Sequence, residues 1–151
     1  MRRKSPSMID DEGSAALEFI TVGVILLVPL VYLIIALGAI QEQTLGVGAA
    51  ARHVARTIVL APDAATAAVR SELVLADVTD QYGIDEESTE VSVACVPVGT
   101  ECPSAGAVVT VTVTTSVSLP LMPAVFGSDS AAAIRVEGSA VQKVSRLWGT
   151  G

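Results

Sequence analysis

The residues best placed for chemistry lie near the start of the chain. Gly13-Ser14-Ala15-Ala16-Leu17-Glu18-Phe19 sets one carboxylate, Glu18, five positions after a glycine. Glu18 also stands at the edge of a run from Phe19 to Gln41 that holds no charged residue. A carboxylate costs about 2.5–3.5 kcal/mol at the centre of a bilayer and less at its edge. Glu18 is therefore either the partner of a cation or an ordinary interfacial acid. Ser14, Ala15 and Ala16 are small, as an intramembrane peptidase requires of the residues around a bond it cuts.

The second reactive pair is Cys95 and Cys102, the only cysteines. In an exported domain such a pair usually closes, and the chain-entropy gain for so short a loop is about 2.5 kcal/mol. The alternative is two free thiols. Two cysteines and the single distant His53 do not supply four zinc ligands, so no metal is expected. His53, between Arg52 and Arg56, has no base or metal role. Asp85, Glu86, Glu87 and Glu90 lack the spacing and glycine of a calcium loop and read as a solvated turn. Gly46-Val47-Gly48 is followed by no strand–helix unit that would make it a nucleotide loop. No serine, cysteine or lysine has a catalytic setting, so neither an enzyme nor a cofactor is expected.

These residues need elements to hold them. The uncharged run is 23 residues long. At about 1.5 Å per residue it reaches roughly 34 Å, enough for a bilayer core of about 30 Å. A helix from about Ser14 to about Leu60 is predicted, with Pro29 inside it and a membrane span over 19–41. Beyond Gln41 polar residues return among small and apolar ones, which reads as an amphipathic continuation and not a second span. Gly46 and Gly48 weaken that stretch by about 1 kcal/mol each relative to alanine. Pro62-Asp63 marks a break. A second helix is expected from about Asp63 to Gln81, with Ala65, Val69, Leu73 and Ala76 as its apolar stripe and Gly83 as its stop.

The remainder reads as strand. Thr89 to Val96 alternates, with Val91, Val93 and Cys95 on one face. In 107–119, Val109, Val111, Val113, Val117 and Leu119 oppose Thr110, Thr112, Thr114, Ser116 and Ser118. Leu119-Pro120-Leu121-Met122-Pro123 must loop out, since neither proline can donate to a ladder. A third strand is expected over 131–144, with Ile134, Val136 and Ala140 facing inward. The expected fold is α+β: a long N-terminal transmembrane helix, then a small domain of one helix on a roughly three-stranded antiparallel sheet. Its divisions are 1–13 as a polar leader, 14–60 as the long helix and 61–151 as a head.

Net charge is −7, and the first thirteen residues balance, with Arg2, Arg3 and Lys4 against Asp10, Asp11 and Glu12. The excess is therefore downstream, which argues against nucleic acid as a partner. Basic residues before the span favour an inside N-terminus and an outside head, although Arg52 and Arg56 beyond it pull the other way.

Charged leader, Gly13, a small residue, Glu18 at the fifth position after the glycine and then a span together resemble the class III signal peptide of type IV prepilins. More narrowly, Gly-Ser-Ala-Ala-Leu-Glu-Phe running into Val/Leu/Ile, with Ala49-Ala50-Ala51-Arg52 beyond, resembles the TadE-like pseudopilins of the tight-adherence (Flp) pilus system. The likeness covers about residues 10–60. Phe19 departs from the Glu-Tyr of the major Flp pilins and matches the Glu-Phe common in pseudopilins. The resemblance implies cleavage between Gly13 and Ser14 by a prepilin peptidase, and pairing of Glu18 with the new amine of a neighbouring subunit. It further implies membrane lipid, other pseudopilins, the major pilin and the assembly platform as partners, and a single-pass place in the cytoplasmic (inner) membrane. Two other readings use the same residues. One is a signal-anchored binding domain unrelated to pili. The other is a protein secreted by cleavage near Ala39, for which the apolar run is too long.

Overall fold

The computed structural model describes residues 9–97, 101–118 and 133–149. Residues 1–8 of the leader, the 119–123 loop and the start of the third strand at 131 lie outside them. The chain divides into two compact units, Met1–Leu37 and Gly38–Gly151.

One helix, α1 (Ile9–Leu60), begins in the first unit, starting at Ile9 instead of near Ser14. Pro29 is accommodated inside it. From Leu17 to Ile35 the large aliphatic side chains and Phe19 are exposed, Phe19 at 81%. Burying one such side chain gains about 1.5–3 kcal/mol, and a helix apolar on every face belongs in lipid or in a protein core. Among the described residues this is one helix long and apolar enough to cross a membrane. That fits a single-pass membrane protein.

The second unit is α+β. It holds the end of α1, then α2 (Ala64–Gln81), one 3-10 turn (Glu86–Ser88), and strands β1 (Glu90–Val96), β2 (Val108–Ser118) and β3 (Ala133–Lys143). The strands form one antiparallel sheet in the order β1-β2-β3, with Val93 opposite Val111 and Val111 opposite Ala140. β2 alternates as its sequence predicts. Val109, Val111, Val113 and Val117 are buried, and Thr115 takes the remaining inward place.

The core joins these valines to Val47, Ala50, Ala51, Val54, Ala55 and Ile58 of α1, to Val78 of α2, and to Ile84, Val136, Ala140 and Val144. The amphipathic continuation of α1 thus supplies more of the core than α2 does. Gly138 explains how closely helix and sheet meet. A Cβ there would stand 2.5 Å from the Gly48 nitrogen and 2.6 Å from the Val47 carbonyl carbon. Gly46 likewise admits Tyr82 and Ile84, whose side-chain atoms lie 2.8–3.0 Å from where its Cβ would be. These glycines, which weaken the helix or strand locally, are what allow the layers to touch.

Sharp local signals set the ends of α2. Asp63 caps it, accepting from the Thr66 backbone N–H at 2.7 Å and from the Thr66 hydroxyl at 3.0 Å. At the other end Gly83 (φ 58°) closes a Schellman motif. There Ile84 N–H donates to the Thr79 carbonyl at 2.8 Å and Gly83 N–H to that of Asp80 at 3.2 Å.

Two sequence expectations are corrected. The stripe Ala65, Val69, Leu73 and Ala76 faces solvent. The inward stripe is Ala67, Ser71, Val74, Leu75 and Val78, which has the same helical period and three large apolar side chains against two. Ile134 is 38% exposed, while Val136 and Ala140 are buried as expected. Ile134 pairs with Val117 near the end of β2.

Candidate functional site

Glu18 lies on α1, exposed, and among the described residues it makes no hydrogen bond or ion pair. The backbone of Gly13 and Ser14 is helical, five and four positions before it. Around Glu18 the helix satisfies its own polar groups, as hydrocarbon demands. The Thr21 hydroxyl donates to the Leu17 carbonyl at 2.8 Å. That leaves Glu18 as the one acid in 15–41, with no ion-pair partner among the described residues.

Cys95 and Cys102 form a disulfide, with Cα atoms 5.7 Å apart. The bond clips the segment after β1 back onto the strand that carries Cys95. It stands beside an open apolar groove of about 260 Å³, lined by Val54 and Ile58 of α1, Ala67 and Leu75 of α2, and Val91 and Val93 of β1. Among the described residues Glu72 is its only charged wall, and Ser71 Oγ, buried beside it, finds no hydrogen-bond partner there. The groove can accept an apolar side chain, but it lacks the converging polar groups that orient a small molecule.

The remaining residues of interest are dispersed. Asp85 accepts from the Glu87 N–H at 3.2 Å and starts the 3-10 turn. Glu86 accepts from the Thr79 hydroxyl at 3.2 Å, and Glu90 pairs with Arg135 at 3.0 Å. The acidic run is thus drawn apart into local structural contacts. Among the described residues no group of three His, Cys, Asp or Glu side chains is placed to hold a metal ion. His53 is exposed on α1.

Sequence reasoning missed two features. One is the hydroxyl cluster in which Ser88 and Thr89 meet buried Thr115 at 3.0 and 3.2 Å. A threonine at an inward position of β2 was its available signal. The other is the contact of Gly138 with α1, signalled by a glycine inside an alternating strand. Comparison with protein-family models, curated proteins and solved structures returns no match to this chain.

Proposed function

We propose that this chain is a non-enzymatic minor pilin or pseudopilin of a tight-adherence (Flp) type pilus. It is inserted with its N-terminus inside, trimmed between Gly13 and Ser14 by a prepilin peptidase, and held in the membrane by residues 19–41. The observation that carries this reading is Glu18, exposed at the edge of the uncharged run of α1 and without an ion-pair partner among the described residues, five positions after Gly13. Removal of the leader leaves an amine at Ser14. On a neighbouring subunit that amine neutralises Glu18 and sets the axial register of the two helices. Major pilin, a second pseudopilin and the membrane platform are the expected partners, and the acidic head faces outward.

The groove beside the disulfide favours a second reading, a signal-anchored binding domain that keeps its leader. Mass spectrometry of the chain purified from its native membrane separates the two. A mature start at Ser14 supports the pilin reading, and an intact Arg2–Gly13 segment overturns it.

A further inference from the structure

The two helices of the second unit turn outward faces of opposite charge, and neither face forms an ion pair among the described residues. On α1 the face carries Arg52, His53 and Arg56, all exposed, between Leu45 (65% exposed) and Leu60 (67%). The sequence holds no acid from Gln43 to Pro62. On α2 the face carries Val69 (60% exposed) and Leu73 (67%), flanked by exposed Glu72, Asp77 and Asp80. From Thr57 to Ile134 the chain holds one base, Arg70, against ten acids. Among the described residues the only ion pair is Arg135 with Glu90, so neither Arg52 nor Arg56 meets any of these acids. Leu45 to Leu60 and Ala65 to Asp80 each span about 22 Å of helix. The faces therefore match in length, in sign and in having apolar residues among the charges.

We propose that these faces are the two halves of one contact between copies of this chain, the α1 face of one copy seating the α2 face of the next. Exposed leucines and valines supply burial, and the opposed charges select the partner face and exclude like-face pairing. The contact is heterologous: each copy that offers its α1 face keeps its α2 face free, so the association propagates along a row. It uses residues of the second unit alone and stands apart from the pilus reading, because neither cleavage after Gly13 nor pairing of Glu18 enters it.

The test uses the full chain in phosphatidylethanolamine/phosphatidylglycerol vesicles, with two differently tagged copies. A benzophenone side chain placed at Leu60 of one copy is expected to form its photo-adduct within residues 65–80 of the other. Arg52→Glu with Arg56→Glu in the first copy lowers the adduct about tenfold, because attractive pairs become repulsive. Glu72→Arg with Asp80→Arg in the second copy alone lowers it similarly, and the two reversed copies mixed together restore it. All four positions are exposed, so the swap keeps the test independent of folding. Raising salt from about 0.1 M to about 1 M shortens the screening length from about 10 Å to about 3 Å and lowers the adduct. An adduct unchanged by charge reversal, an adduct on lipid or elsewhere on the protein, or reversed copies that fail to restore it would each overturn the proposal.

Discussion

Among the described acids Glu18 differs in its surroundings. Those of the second unit sit in water or in local turns, whereas Glu18 stands among exposed apolar side chains with no ion-pair partner among the described residues. If the amine of a cut neighbour answers it, Glu18→Ala leaves processing at Ser14 intact and abolishes surface fibres. The mature mass and electron microscopy of the cell surface check the two halves separately, and fibres in the mutant would remove the pairing.

Asp63 offers a second test at the scale of one side chain. Hydrogen bonds from Thr66 hold its carboxyl below the ordinary 3.8, so the ionised form is favoured by folding. Its contribution is complete above pH 3.8 and fades as pH falls through the lower folded value. Amide exchange at Thr66 is therefore expected to quicken on acidification below that point and to be insensitive to pH above it after correction for intrinsic rates. Gly138→Ala drives a methyl into the backbone of Val47 and Gly48. A backbone cannot swing aside as a side chain can, so the cost is near the upper part of the 1–3 kcal/mol range typical of overpacking, roughly 3 kcal/mol by denaturant titration of the chain in micelles.

Among the elements, β1 is the edge strand that depends on a clip. It pairs on one side with β2, and its Val91 and Val93 line the open groove. The Cys95–Cys102 bond restricts the segment that follows it. Cys95→Ser with Cys102→Ser is expected to lower stability by about 2.5 kcal/mol on the chain-entropy account, with the loss greatest for amide protection along β1. β2, paired on both sides and carrying the buried valines, is expected to keep its protection. Helix α2 has sharp ends set by Asp63 and the Gly83 turn, and Val74, Leu75 and Val78 hold its inner face to the core.

At the scale of the whole molecule, α1 belongs to both units. Its first part offers lipid an apolar surface, and its last turns supply the largest helical share of the core. Full chain is therefore expected to remain in the membrane pellet after alkaline carbonate extraction. A reporter active only in the cytoplasm, fused after Gly151, is expected to stay silent, and activity there would reverse the proposed orientation. Because residues from Gly38 onward form one compact unit, truncating the chain at Ala61 would remove Val47, Val54 and Ile58 from the core and leave the β2 valines uncovered.

The membrane run, the break at Pro62-Asp63, the stop at Gly83 and the alternation of β2 were all legible in the sequence. Each is a local matter: an uncharged stretch long enough for lipid, a ring without an N–H, a residue tolerant of positive φ, a period of two. Which of α2's two apolar stripes turns inward was not legible, because both obey the helical period and only the surface presented by α1 and the sheet decides between them. Ile134 followed the same logic, since its place in the alternation says which way it points and not whether anything lies there to cover it. Gly46 and Gly138 read as weak points in one dimension and became points of contact in three. The sequence alone determined which run is long and apolar enough to span a membrane, and where the break after α1, the stop of α2 and the alternation of β2 fall. Tertiary structure decided which faces are buried, because burial is a relation between surfaces that lie far apart along the chain.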